Sequence, residues 1–246
     1  MVYITPMDEF FKWPRLYGDM RLSEGAEITL PEDQAHYLAH VLRRKADDSV
    51  RMFNPQDGEW QAWIKDVRKK SMTVTIGRQI RKPEPLSRRL HVYFCPIKKQ
   101  RQDWMIEKAV ELGATDFHPV LSQNTEVRDI NRDRITHQLA EASEQSERLH
   151  IPVLHPVQKL DHLLGLLPLE YPVYACIERL DTPPISRVFA GQKDIGFLIG
   201  PEGGFTSDEK KLLISRTHTL SLGSDILRSE TAAILMLSLI KSADIT

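Results

Sequence analysis

From Leu90 to the C-terminus the sequence alternates short apolar runs with helical stretches, and no other feature restricts the fold as much. "LHVYFCP" (Leu90–Pro96), "TDFHPVL" (Thr115–Leu121), "YPVYACIE" (Tyr171–Glu178), "DIGFLIG" (Asp194–Gly200) and "HTLSLG" (His218–Gly223) predict strands. Between them, Asp103–Gly113 predicts an amphipathic helix closed by glycine, and Asn131–Leu149 a long polar helix. Thr206–Arg216 predicts a helix opened by a capping box of Thr206 and Glu209. Ser229–Ala243 predicts a last, very apolar helix. "DIGFLIG" is apolar at most positions, as in a sheet covered on both faces. Strands and helices in this order imply a mostly parallel α/β sheet over residues 90–246.

Residues 1–80 read differently, as a small β-rich unit. Ala26–Leu30 predicts a short strand, and Pro31–Arg44 a helix with proline at its first position. "SVRMFNP", "GEWQAWIKDV" and "MTVTIGRQI" predict strands of a meander, with "NPQDG" (Asn54–Gly58) as the turn. Such a unit suits a small barrel. Residues 81–89, with two prolines and no apolar periodicity, read as a linker.

Charge and cysteine content bound the function. Lysine plus arginine (33) nearly balances aspartate plus glutamate (34), so a nucleic-acid surface must be a local patch. The most basic stretch runs from Arg81 to Lys108, with eight basic and three acidic residues; a solvated face is the usual fate of such a run. Cys95 and Cys176 lie inside apolar segments and read as free thiols of a reducing compartment. The N-terminus shows no basic region followed by an apolar stretch, and no apolar run reaches the roughly 20 residues that span a bilayer. A cytoplasmic protein with no membrane partner is expected.

Ligands of parallel α/β sheets sit at the carboxyl ends of strands. Two such ends carry glycine here, "IGPEGG" (Ile199–Gly204) and "LSLGSDILRSE" (Leu220–Glu230), and both lead into helices. Glycine lets a ligand approach the backbone closely, although a tight strand–turn–helix connection that binds nothing also uses it. The sequence holds no G-x-G-x-x-G, no G-x-x-x-x-G-K-[ST] and no G-x-S-x-G. His36 and His40 form the single i,i+4 histidine pair, without a convincing third ligand, and no metal is expected.

"IGPEGGF" followed by "LSLGSDILRSETAA" strongly resembles the paired C-terminal motifs of the RsmE family, ribosomal RNA uridine-N3 methyltransferases of the SPOUT (trefoil-knot) superfamily. "HYLAHVLR" (His36–Arg43), "DWMIEKAVELGA" (Asp103–Ala114) and "EASEQSERLHIP" (Glu141–Pro152) extend the likeness along most of the chain. The resemblance implies a PUA-like RNA-binding barrel in residues 1–80 and a dimerising SPOUT trefoil-knot domain in 90–246. It implies S-adenosyl-L-methionine as cofactor, held by Leu198, Ile199, Gly200, Pro201, Glu202, Gly203, Gly204, Leu220, Leu222, Gly223, Ile226, Leu227 and Thr231. For 16S ribosomal RNA in the small subunit it points to His36, Arg43, Arg44, Lys98, Lys99, Arg101, Gln145, Ser146 and Arg148. Three departures stand out: Lys99 and Glu147 where the family favours glycine, and "QNTEVR" (Gln123–Arg128) for a more basic segment. They touch elements expected to face RNA rather than the cofactor loops.

Uracil N3 carries a proton that must leave before the nitrogen can attack. Arg228 is the candidate to stabilise the resulting anion, since a guanidinium offers two donors to imide oxygens; a salt bridge to Glu230 or Glu202 is its alternative role. Glu202 and Glu230 are candidate bases. Methylation at uracil C5 would call for a cysteine nucleophile. A SPOUT enzyme acting on another RNA nucleotide and a ribosome-binding module without catalysis remain the rival readings. Ser229–Ile240 is apolar on nearly every face, which suits a helix packed on its own sheet and on a partner copy.

Overall fold

The computed structural model describes residues 10–68, 71–167, 171–180, 189 and 192–243; the first nine residues of the N-terminal stretch read for a leader lie outside it. The chain divides into two compact units. One holds the residues up to Pro85 together with Glu147–His150, the other Leu86–Ser146 and Ile151–Thr246.

The first unit is built on β1 (Arg15–Tyr17), β2 (Glu27–Thr29), β3 (Ser49–Asn54), β4 (Gly58–Val67) and β5 (Met72–Arg81), in the sheet order β1-β3-β4-β5-β2. The meander β3–β4–β5 is antiparallel as expected, with register shifts between β4 and β5. Such irregularities increase twist and help a sheet curl. At the β3–β4 turn the Asn54 side chain accepts from the Asp57 N–H, 2.6 Å. Gly58 sits at φ +82, where an added Cβ would lie 2.2 Å from the Arg81 carbonyl oxygen. The segment expected as one helix is instead α1 (Glu32–His36) continued by a π-helical turn at Tyr37–Val41. Leu16, Leu38, Val50, Met52, Ile64 and Val74 centre the core.

A buried carboxylate organises the basic residues of this unit. Glu59 is 1% exposed and accepts from Arg15 Nε at 3.0 Å and Arg51 Nη1 at 3.1 Å. Arg51 Nη2 also donates to Glu147, 2.8 Å. Glu147 stands at φ +56, a conformation that costs a residue with a side chain about 1–2 kcal/mol. Glycine suits that position by conformation; here glutamate takes it and gains an ion pair.

The second unit carries β6 (Leu90–Phe94), α2 (Lys99–Glu111), β7 (Asp116–Leu121), α3 (Arg132–Gln145), β8 (Val153–Leu154), β9 (Gln158–Lys159), α4 (Leu160–Gly165), β10 (Val173–Cys176), β11 (Ile195–Ile199), α5 (Ser207–Arg216), β12 (His218–Leu220) and α6 (Ser229–Ser242). The sheet order is β12-β10-β11-β6-β7-β8, with β9 also on β7. The pairings among the described residues are all parallel. β11 is buried at every position, matching its continuous apolar run. One face of the sheet packs through Val92, Phe94, Phe117 and Phe197 on α2, α3 and α6. The other packs through Tyr93, Val120, Ala175 and Leu198 on α4 and α5. Asn131 caps α3 by accepting from the Arg134 N–H, and Thr206 and Glu209 form the expected capping box on α5. The expected knot turns on how α6 passes the connection from β10 to β11, much of which (181–188, 190 and 191) lies outside the described residues.

Candidate functional site

The carboxyl ends of β10, β11 and β12 open onto a shallow cavity of about 80 Å³. Ile199, Gly200 and Pro201 enter it from β11, and Leu222 and Gly223 from beyond β12. Cys176, Ile177 and Glu178 enter from β10. Gly204, Phe205 and Lys210 complete the lining on the approach to α5, and Asp225, Leu227, Ser229 and Ala232 at the start of α6.

The glycines of the first turn do different work. The Gly204 N–H donates to the Pro201 carbonyl, 2.9 Å, and Gly204 stands at φ +65 in the cavity wall. An added Cβ on Gly200 would meet the Phe205 ring at 2.8 Å, so Gly200 is small for its own aromatic neighbour. Gly203 has no positive φ and lies outside the cavity lining; its Cβ would press on Asn124 at 3.2 Å. In the second turn Gly223 stands at φ +122, with open space where a Cβ would go. Ser229 Oγ donates to the Gly200 carbonyl, 2.8 Å, and ties the start of α6 to the first turn.

The segment Gln123–Arg128 corrects an expectation. Rather than leaving the cofactor loops alone, it braces one of them: Asn124 Nδ2 donates to the carbonyls of Gly203 and Gly204, 3.1 Å each. The Gln123 N–H donates to Glu209 Oε1, 2.7 Å, while Glu209 Oε2 accepts from the Thr206 N–H. One carboxylate thus joins the β7 loop to the N-terminus of α5.

The remaining candidates fall into three groups. Leu198 and Leu220 are core residues, 1% and 4% exposed, and lie outside the cavity lining. Ile226 and Thr231 are exposed and also lie outside it. Glu202 and Glu230 meet at Arg101, which donates to Glu202 and approaches Glu230 Oε1 at 3.8 Å. The salt bridge weighed for Arg228 is therefore made by Arg101, from the first turn of α2. Glu230 Oε2 is buried without a hydrogen-bond partner among the described residues. Arg228 occupies the N-cap position of α6, exposed, with no ion pair from its side chain among the described residues.

The residues expected to meet RNA are spread over both units. Lys98 and Lys99 are exposed where α2 begins, and Gln145 is exposed where α3 ends. Ser146 Oγ donates to the Ala142 carbonyl, 2.6 Å. In the first unit, His36 and His40 have ring centroids 4.8 Å apart, and Arg43 is exposed at φ +53. Arg44 is half-buried. Burial pulls the Arg148 guanidinium down to about 10, and the Arg148 carbonyl accepts from Arg15.

Neither cysteine is poised as a nucleophile. Burial pushes the Cys176 thiol up to about 12 and raises that of Cys95 as well. Cys176 borders the cavity, yet at neutral pH it remains a thiol.

Parallel strands ending in a glycine-lined cavity, in a chain that also carries a separate small β-unit, suit a two-part RNA methyltransferase, and the comparisons show that class. Residues 83–241 match the RNA methyltransferase domain family, and residues 30–77 the RNA methyltransferase PUA domain. The chain is 37% identical to the ribosomal RNA small subunit methyltransferase E of Rickettsia conorii, over 91% of this chain and 93% of that one. It is 26% identical to the protein of the same name from Bacillus subtilis, over 89% and 91%. Among solved structures it is similar to the S-adenosyl methionine-bound ribosomal RNA small subunit methyltransferase E of Neisseria gonorrhoeae, with a TM-score of 0.85, 26% identity and 95% and 100% coverage. A Legionella pneumophila methyltransferase with bound cofactor gives a TM-score of 0.83 at 25% identity, over 94% and 98%. The chain belongs to the ribosomal RNA small subunit methyltransferase E family.

Sequence reasoning missed the third strand end, Cys176–Glu178, together with Phe205, Lys210, Asp225, Ser229 and Ala232. For Cys176–Glu178 a signal existed, since β10 is a parallel strand like the other two. The others reach the cavity only through the packing of α5 and α6.

Proposed function

We propose that the chain methylates uracil N3 in 16S ribosomal RNA of the small subunit, in the cytoplasm, with S-adenosyl-L-methionine as cofactor. The observation that carries the reading is the cavity itself. Its two positive-φ glycines, Gly204 and Gly223, leave backbone accessible, and Ile177, Ile199, Leu222 and Leu227 supply apolar walls for a flat aromatic group. Glu178 and Asp225 place carboxylates in a cavity whose proposed ligand carries a sulfonium and an ammonium. These residues fit S-adenosylmethionine, which when bound supplies a methyl group already activated for displacement by a nitrogen.

The chain's own residues then prepare the nucleophile. Arg228, at the exposed N-cap of α6 with no ion pair among the described residues, can donate to an imide oxygen of uracil and favour loss of the N3 proton. Glu230, with one buried carboxylate oxygen unpartnered, is the preferred acceptor for that proton, and Arg101 orients it together with Glu202. Lys98, Lys99 and Arg43 are exposed cations suited to phosphate contact. A homodimer seated in part on α6 completes the proposal.

Primer extension on small-subunit RNA from a deletion strain tests it, because N3 methylation blocks Watson–Crick pairing and arrests the polymerase. A stop in wild-type RNA that vanishes in the deletion and returns on complementation is expected. An unchanged stop pattern, with a nucleoside lost from transfer RNA instead, overturns the substrate.

A further inference from the structure

We propose that His91, Asp116 and His118, with His155 hydrogen-bonded to Asp116 behind them, form a binding site for a divalent transition-metal ion, zinc by preference. The site lies at the amino-terminal edge of the parallel sheet, at the opposite ends of the strands from the glycine turns.

Strand register assembles the donors. His91 is the second residue of β6 and pairs with Asp116, the first residue of β7; His118 pairs with Tyr93. Side chains two apart share a face of a sheet, so these residues project together, and His155 follows directly on β8. His91 Nδ1 and His118 Nε2 face each other at 3.1 Å, and Asp116 Oδ2 lies 3.9 Å from His91 Nδ1. His155 Nε2 is 2.8 Å from Asp116 Oδ1, and its ring stacks on His118 at 3.9 Å. One donor atom each from His91, Asp116 and His118 falls within 4.8 Å of the others. Neighbouring ligands of a tetrahedral ion with bonds of about 2.0–2.1 Å stand about 3.3 Å apart, so the widest gap need close by roughly 1.5 Å.

The surroundings hold the donors in place. The Tyr171 ring stacks on His91 at 4.3 Å and the Tyr93 ring on His118 at 4.2 Å, and the two tyrosine hydroxyls meet at 2.9 Å. Thr115 Oγ1 donates to Asp116 Oδ2, 2.8 Å. Carboxylates and rings fixed by such outer contacts are characteristic of metal ligands. Asp116, 1% exposed, is held by Thr115 and His155, with Arg89 at 3.8 Å. One feature lacks a partner within the described residues. His91, 5% exposed, keeps a buried Nε2 without a hydrogen-bond partner among the described residues, and such groups call for an explanation in water or ions.

Imidazole and carboxylate donors suit zinc among the available first-row ions.

The test is titration of the full-length, tag-free, chelator-treated protein with Co²⁺, followed by competition with Zn²⁺. One cobalt per chain with the intense visible absorption of a four-coordinate site is expected, displaced by one zinc, with a higher Tm in the loaded protein. His118→Asn should abolish the spectrum and His36→Asn should leave it unchanged. His155→Ala, at the rim of the cluster, should weaken affinity by about 10–100-fold and serves if His118→Asn fails to fold. Absence of saturable cobalt binding, or binding of equal strength in folded His118→Asn or His155→Ala, overturns the proposal and leaves a neutral histidine stack.

Discussion

At the scale of single residues, the two glycine turns separate by what a side chain would meet. Valine at Gly204 would adopt φ +65, costing about 1–2 kcal/mol, and would project beside Glu178 in the cavity wall. Gly204→Val should lower S-adenosylmethionine affinity at least tenfold by calorimetry, with the fold intact by circular dichroism. Gly203→Val presses on Asn124 instead and should cost less, because its effect reaches the cavity only by displacing the brace. Equal losses in the two variants would reverse the assignment of which glycine faces the ligand. Arg228 makes a different prediction. If it favours the N3 anion, Arg228→Ala should slow single-turnover transfer at neutral pH by about 10²–10³-fold, the scale of one lost anion-stabilising donor. Raising the pH ionises uracil without the arginine's help, so the deficit should shrink. Arg228→Lys should rescue weakly, since one ammonium cannot reproduce the planar fork. A deficit constant with pH would point to positioning of the nucleoside.

At the scale of elements, the sequence announced those long enough to show a period. The five longest strands of the second unit and α2 could be read from apolar patterning, α5 from its capping box and α6 from its apolar run, while the polar helix expected to reach Leu149 ends at Gln145. β1, β8 and β9, two or three residues long, could not, and neither could α4, little longer than one turn. The site was half-legible for a related reason. Gly204 and Gly223 are visible as glycines beyond apolar runs, whereas the phase of each strand against the cavity is set by packing. Leu198 and Leu220 stay in the core, Ile199 is in the core and also reaches the pocket, and Leu222 lines it from the turn beyond β12. The histidine cluster was illegible altogether, since its members span 91 to 155 with no ligand spacing a motif would reveal. The apolar character of α6 was legible, but not its partner. Ala233, Met236, Leu237 and Ile240 are buried, while Leu235 and Ser238 are partly exposed on a helix with few polar positions. If a second copy covers that stripe, Leu235→Glu should shift sedimentation at micromolar concentration from dimer to monomer while Tm changes little. A wild-type monomer under the same conditions would remove the dimer from the proposal.

At the scale of the whole molecule, near-neutral net charge makes RNA affinity depend on where the cations are placed. Each phosphate neutralised releases counterions, so log affinity falls linearly with log salt, with a slope near −0.7 per contact on single strands and −0.9 on duplex. Lys98 and Lys99 lie in the second unit and Arg43 in the first, each exposed and each outside the cavity lining. If both units engage one RNA, Lys98→Ala/Lys99→Ala should reduce the magnitude of the slope by about 1.4–1.8 and Arg43→Ala by about 0.7–0.9. The triple variant should show the sum, because each phosphate contact contributes its own counterion release. S-adenosylmethionine affinity should be unchanged in all three, since none of these side chains lines the pocket. Titrations of ribosomal RNA fragments over a range of salt provide the slopes. A slope altered by the lysine pair and indifferent to Arg43 would confine RNA contact to the catalytic unit, and the first unit would then need another role. A slope indifferent to all three would mean that phosphates are met elsewhere on the chain.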